Sequence, residues 1–142
     1  MISNRSVPSA TVIPELAYAD VAEAAAWLCR AFGFSERLRI GDHRVQLVLG
    51  DGAMVVTRLP QPPSSPAAAT THSMLVRVED ANAHHDAAVR AGARILHPPT
   101  DYPFGERQYT AEDPGGHVWT FSESIADIDP ASWGGTPVDL GR

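Results

Sequence analysis

Glu15, Arg58, Ser73, Arg77 and Thr120 are the polar side chains that strand alternation sets apart from bulky apolar neighbours in this chain. Glu15 and Ala17 alternate with Leu16 and Tyr18, and Ser73, Leu75 and Arg77 alternate with Met74, Val76 and Val78. Near the end, Val118, Thr120 and Ser122 alternate with Trp119 and Phe121. Met54, Val56 and Arg58 form the set expected to correspond to them in the first half. Gathered on facing sheets, these side chains describe a cup with an apolar floor and a few polar handles, which is the make-up of a small-molecule site. Arg58 and Arg77 either line that cup or lie at strand ends in water. If the chain catalyses a reaction, Glu15 is the carboxylate placed to serve as general base.

Other chemistry finds less support. His84 and His85 are neighbours on a helix, about 100° apart, so they do not chelate together and are expected in solvent. His97 precedes two prolines in a loop, and His43 sits alone at a strand start. His117 shares a face with Trp119 and Phe121 and reads as a partly buried structural residue. No Gly-x-Ser-x-Gly elbow and no phosphate loop is present. The one cysteine, Cys29, lies beside Leu28 in a helix, the setting of a buried structural thiol and not of a nucleophile.

The elements that must position these residues are announced by a repeat. An apolar strand running into Asp20, an Ala-rich helix and Gly33 is followed, sixty residues on, by a strand running into Asp80, another Ala-rich helix and Gly92. Asp20 and Asp80 stand where N-caps belong, Glu23 completes a capping-box pattern, and Gly33 is a natural C-terminal stop. Each helix precedes short strands and a glycine turn, Gly50-Asp51-Gly52 in one half and Asp113-Pro114-Gly115-Gly116 in the other. One β-α-β-β-β unit has an apolar sheet face that its copy must cover. The reading is a single domain over 1–142: unit one at about 11–60, a Pro/Ser-rich linker at 61–71, unit two at about 72–124, and a tail at 125–142. Trp133 in the tail is expected to anchor it on the body or on a second subunit.

The strand with its Asp-capped helix ending in Ala-Phe-Gly-Phe, and the second copy ending in Glu-Asp-Pro-Gly-Gly-His, resemble the vicinal-oxygen-chelate superfamily of glyoxalases, bleomycin-resistance proteins and extradiol dioxygenases. The likeness spans about Val12 to Ser122. It implies an α+β fold of two tandem β-α-β-β-β modules forming paired curved mixed sheets around a cup, and a homodimer. Metal-dependent members hold a divalent ion on the first and last strands of each module. The matching positions here are Ile13, Val56, Ser73 and Thr120, two aliphatics and two neutral hydroxyls, so no metal and no other cofactor is expected. His72 is one residue from a ligand position, and a one-residue slip along a strand changes the face.

Two functions follow from these residues. One is a binding protein of the bleomycin-resistance kind, without metal, that sequesters an aromatic or peptide-like antibiotic. The other is a lyase, isomerase or dioxygenase-type enzyme of the same superfamily, using Glu15 as base or a non-standard metal site. The formal net charge of -6 and the absence of any Lys/Arg stripe argue against a nucleic-acid partner. No stretch is apolar and long enough to span a bilayer, and the first residues lack the core of a signal peptide, so a cytoplasmic protein is expected.

Overall fold

The computed structural model describes residues 5–59 and 72–137. The first unit consists of β1 (Glu15–Tyr18), α1 (Val21–Phe32), β2 (Ser35–Ile40), β3 (Arg44–Leu49) and β4 (Gly52–Arg58). The second consists of β5 (Met74–Arg77), α2 (Ala81–Arg90), β6 (Arg94–Asp101), β7 (Glu106–Glu112) and β8 (Val118–Ser124). A short 3₁₀ turn at Pro130–Trp133 lies in the tail. The two sheets have the same order, β1-β4-β3-β2 and β5-β8-β7-β6, with β1 and β5 as parallel outer strands on otherwise antiparallel sheets. This is the α+β fold of paired mixed sheets that the repeat implies. The Pro/Ser-rich linker at 61–71 falls outside the described residues.

Local chemistry explains the repeat. Asp20 and Asp80 sit in extended conformation and accept hydrogen bonds from the backbone N–H groups of Glu23 and Ala83, each at 3.0 Å. Both caps therefore satisfy an orphan amide of the first helical turn. Gly33 ends α1 in the left-handed region. Its counterpart differs slightly, because Ala91 closes α2 and Gly92 takes the left-handed position after it.

The core lies where the helix sides of both sheets meet. Phe32, at the end of α1, packs against Trp119 and Phe121 of the other unit, with ring centroids 5.3 and 4.8 Å apart. Trp27 of α1 donates its indole N–H to the Ala91 carbonyl at the end of α2, 3.0 Å away. Trp27, Phe32, Trp119 and Phe121 are all almost fully buried, and burying each large side chain stabilises the fold by about 2–3 kcal/mol. The helix sides thus cover each other, and each sheet keeps one face turned away from the core.

Two expectations change here. The Pro-rich stretch after His97 is not a loop: β6 continues through Pro98 and Pro99 to Asp101. Prolines are tolerated because β6 is an edge strand, and its register shifts twice at this point. The sequence of α2 also places Val89 with Ala81 and Ala88 on the buried side; Ala81 and Ala88 are fully buried there, whereas Val89 is about half exposed.

Candidate functional site

Paired strand residues share a face, so the register decides which side chains line each open surface. On the second unit, Leu75 pairs with Thr120 and Arg77 with Ser122, while Thr110 and Gln108 pair with the same two residues from the other side. Glu106 stands opposite Ser124, and Glu112 opposite Val118. Leu75, Arg77, Val118, Thr120 and Ser122 therefore share the open face as alternation predicts, and Ser73 is exposed just before β5.

The first unit corrects the sequence reading by one residue. Glu15 pairs with Val55, whereas Leu16 pairs with Val56 and Tyr18 with Arg58. Met54, Val56 and Arg58 consequently lie on the helix side, opposite to Glu15. Met54 and Val56 are core residues, at 2% and 0% exposure. Arg58 reaches solvent at the strand end and pairs with the Asp42 carboxylate at 2.9 Å. The cause is composition. Met54-Val55-Val56 is apolar throughout, so alternation carries no signal there, and the central strand β4 is buried on both faces.

Gln46, which the sequence did not single out, occupies the middle of the first unit's open face beside Val55. It is 1% exposed because Ser6 closes over it: the Gln46 amide donates to the Ser6 carbonyl at 2.7 Å and accepts from Arg37. Arg37 also donates to the Arg5 carbonyl, and Pro8 is buried. The chain before β1 thus covers part of this face. Glu15 lies at its rim in a two-pronged pair with Arg44, which holds the carboxyl below its usual range. A general base needs the opposite shift.

On the second unit the polar groups form one connected network. Ser122 and Ser124 donate their hydroxyls to the two carboxylate oxygens of Glu106, each at 2.5 Å. Gln108 donates to the Ser122 hydroxyl at 3.1 Å, and Arg77 donates to the Ser124 hydroxyl at 2.9 Å. Thr110 and Thr120 share a 3.0 Å hydrogen bond beside them. The two serine hydroxyls favour the charged form of Glu106 and hold its carboxyl below the usual value, with the Arg77 charge a smaller aid. A cavity of about 390 Å³ opens over this network, bounded by Leu75, Arg77, Phe104, Glu106, Gln108 and Ser122. A larger one, about 560 Å³, runs along the free edge of β5 between the units, where Phe34, Met54, Met74 and Trp119 meet Leu75 and Arg77.

The histidines settle into structural roles. His84 is not in solvent: its Nδ1 lies 2.5 Å from the Tyr109 hydroxyl and its ring centroid 4.2 Å from that of Phe121. Burial pushes its pKa down. His85 is also largely covered, its ring edge-on to Tyr109. Their burial reflects the small Ala-rich face of α2, which lets the helix sit close to β7. His117 contacts the Ala17 carbonyl at 2.9 Å, and His72 stands 6.0 Å from it, ring to ring. Cys29 is half-buried, and burial raises its thiol pKa.

The divalent ion of metal-dependent relatives does not fit the positions that would hold it. Val56 is aliphatic and sealed in the core, Ile13 is aliphatic, and the Thr120 hydroxyl is engaged by Thr110. Among the described residues no three His, Cys, Asp or Glu side chains are grouped to hold an ion.

Duplicated β-α-β-β-β units with open sheet faces define a class in which one scaffold serves many ligands. The chain belongs to the Glyoxalase/Bleomycin resistance protein/Dioxygenase superfamily, whose model matches residues 11–121. Among solved structures it is similar to TioX from Micromonospora sp. ML1, with 37% identity over 80% of this chain and 98% of that one, and a TM-score of 0.69. It shares its fold with TnmS3, an antibiotic binding protein from Streptomyces sp. CB03234, at 20% identity over 85% and 99% of the two chains, TM-score 0.66. A glyoxalase-related enzyme from Fulvimarina pelagi has the same fold at 15% identity over 81% and 88%, TM-score 0.67. No curated protein matches the sequence.

Proposed function

We propose that this chain is a non-catalytic binding protein that sequesters a small aromatic or peptide-like compound, such as an antibiotic, on the open face of the second unit. The observation that carries this reading is the network around Glu106, in which carboxylate, hydroxyl and amide groups are fixed against one another beside exposed Leu75. Such a surface is ordered before a ligand arrives, which lowers the entropic cost of binding. Glu15, the base of the enzymatic alternative, is ion-paired with Arg44 at a sheet edge away from that network. That TnmS3 is an antibiotic binding protein on the same fold adds support.

The working form is a homodimer. Leu75 is 71% exposed on a sheet face, and among the described residues β1 and β5 each leave one edge unpaired within their sheet. A two-fold partner could cover both at once and wall the cup that a single chain leaves open. The test is a panel of planar antibiotics, with binding and chemical change followed in parallel. Saturable binding of an unaltered compound, weakened tenfold or so by Thr120→Trp, is the expected result. Turnover that Glu15→Gln abolishes while binding persists would replace this reading with the enzymatic one.

A further inference from the structure

The tail builds a second compartment onto the same face. After β8 the chain turns back at Ile125 and Ala126, whose backbone N–H groups both donate to the Gly105 carbonyl, at 2.8 and 3.2 Å. The approach is so close that a Cβ on Gly105 would stand 2.1 Å from the Ala126 carbonyl oxygen, and Gly105 itself is left-handed. Asp129 then caps the 3₁₀ turn that presents Trp133, accepting from the Ala131 N–H at 3.1 Å. Trp133 meets Phe104 edge-on, centroids 5.9 Å apart, and Phe104 lies flat on Tyr102 at 5.3 Å.

These residues border an open depression of about 570 Å³ that shares Phe104 and Glu106 with the cavity over the serine network. Among the described residues its charged lining is acidic, Glu106 and Asp127, and its aromatic walls are Phe104 and Trp133. Arg77 borders the neighbouring cavity and donates to Ser124, which lines this one, so its charge also acts on Glu106. Ser122 and Ser124 occupy one lone-pair direction on each Glu106 oxygen, which leaves others free to accept from a ligand. Trp133, 43% exposed, has a ring edge and face to offer, and it lies beyond the 11–121 span of the family match.

We infer that this compartment selects a planar aromatic ligand carrying a positive charge, with its N–H donor on Glu106 and its ring against Phe104 and Trp133. The carboxylate supplies a charge-assisted hydrogen bond, and the electron-rich ring faces attract the cation. The chain's overall charge of -6 favours the same sign of ligand. This rests on the reading that the second unit's open face takes small molecules, and it names their class.

The experiment compares proflavine, a planar cation, with acridine, the neutral ring of the same shape, by titration calorimetry on the full chain at low ionic strength. Proflavine is expected to bind about tenfold more tightly than acridine, and added salt to narrow the gap. Glu106→Gln should bring the two within about threefold of each other, because the charge-assisted bond that favours the cation is lost. Trp133→Ala should weaken both rings, and Trp133→Phe should restore most of the loss, which separates stacking from a folding defect. Equal affinity of the two rings for the unmodified chain, or a preference that survives Glu106→Gln, overturns the inference. If acridine still binds and Thr120→Trp blocks it, the general binding function stands without it. Failure of both rings and of the antibiotic panel removes both.

Discussion

The Tyr18 hydroxyl donates a 2.6 Å hydrogen bond to Asp113 Oδ2, joining the first strand of one unit to the last turn of the other. The same oxygen accepts the Trp119 indole N–H at 3.0 Å. Asp113 Oδ1 accepts the backbone N–H groups of Gly115 and His117, at 3.0 and 2.9 Å. Four donors thus satisfy one buried carboxylate. The turn needs glycine at 115, because a Cβ there would meet the Tyr18 ring at 2.6 Å. Burial and the Asp113 charge push the Tyr18 pKa far up, since an ionised phenol beside a carboxylate would be unpaired.

Removing either end of this contact should loosen the join between units. Tyr18→Phe is expected to cost about 1.5–3 kcal/mol, the worth of a hydrogen bond to a charged acceptor. Asp113→Ala strands three backbone and side-chain donors as well as Tyr18, and should cost about 3 kcal/mol or more. Urea unfolding followed by Trp fluorescence measures both. An Asp113→Ala midpoint equal to the parent's would mean that the units are held by apolar packing alone.

Acid should weaken the fold through His84. Burial lowers its folded pKa, so the unfolded chain, at the ordinary value of about 6.5, takes up the proton more readily. The stability from neutral His84 is therefore fully present above about pH 6.5 and is lost as pH falls through the lower folded value. Urea midpoints at pH 7.5 and 5.5 read this slope, and His84→Gln should flatten it. Unchanged slopes in the variant would assign the acid sensitivity to other groups.

The proposed dimer has a direct test. Light scattering at micromolar concentration should return about twice the 15.2 kDa chain mass. Leu75→Asp places a charge on the exposed face of the outer strand β5 and should shift the mass toward one chain. A single-chain mass across all dilutions would leave the β1 and β5 edges uncovered in solution and remove the dimer from the proposal.

Metal content separates the binding and metalloenzyme readings independently of any ligand. Elemental analysis after expression with added zinc, nickel, manganese and iron should find none in stoichiometric amount after dialysis. One ion per chain, lost in His72→Ala, would relocate the site to the His72–His117 neighbourhood.

The repeat, the caps at Asp20 and Asp80 and the open-face set on β5 and β8 were all legible in the sequence. They depend on neighbours within a few residues: a side-chain oxygen reaching an amide three positions on, or polar residues alternating with Trp119 and Phe121. The facing of β4 was not legible, because in Met54-Val55-Val56 every residue is apolar and only pairing with Glu15 and Leu16 reveals which way each points. His84 read as a surface residue although Tyr109 closes over it, and Gln46 drew no notice although Ser6 covers it. The Glu106 network joins positions up to forty-seven residues apart, from Arg77 to Ser124, and the tail wall appears only once Gly105 admits Ala126. Local sequence fixes conformation through short-range hydrogen bonds and sterics. The site depends on which distant backbones approach, and that was decided by packing the two helix sides into one core.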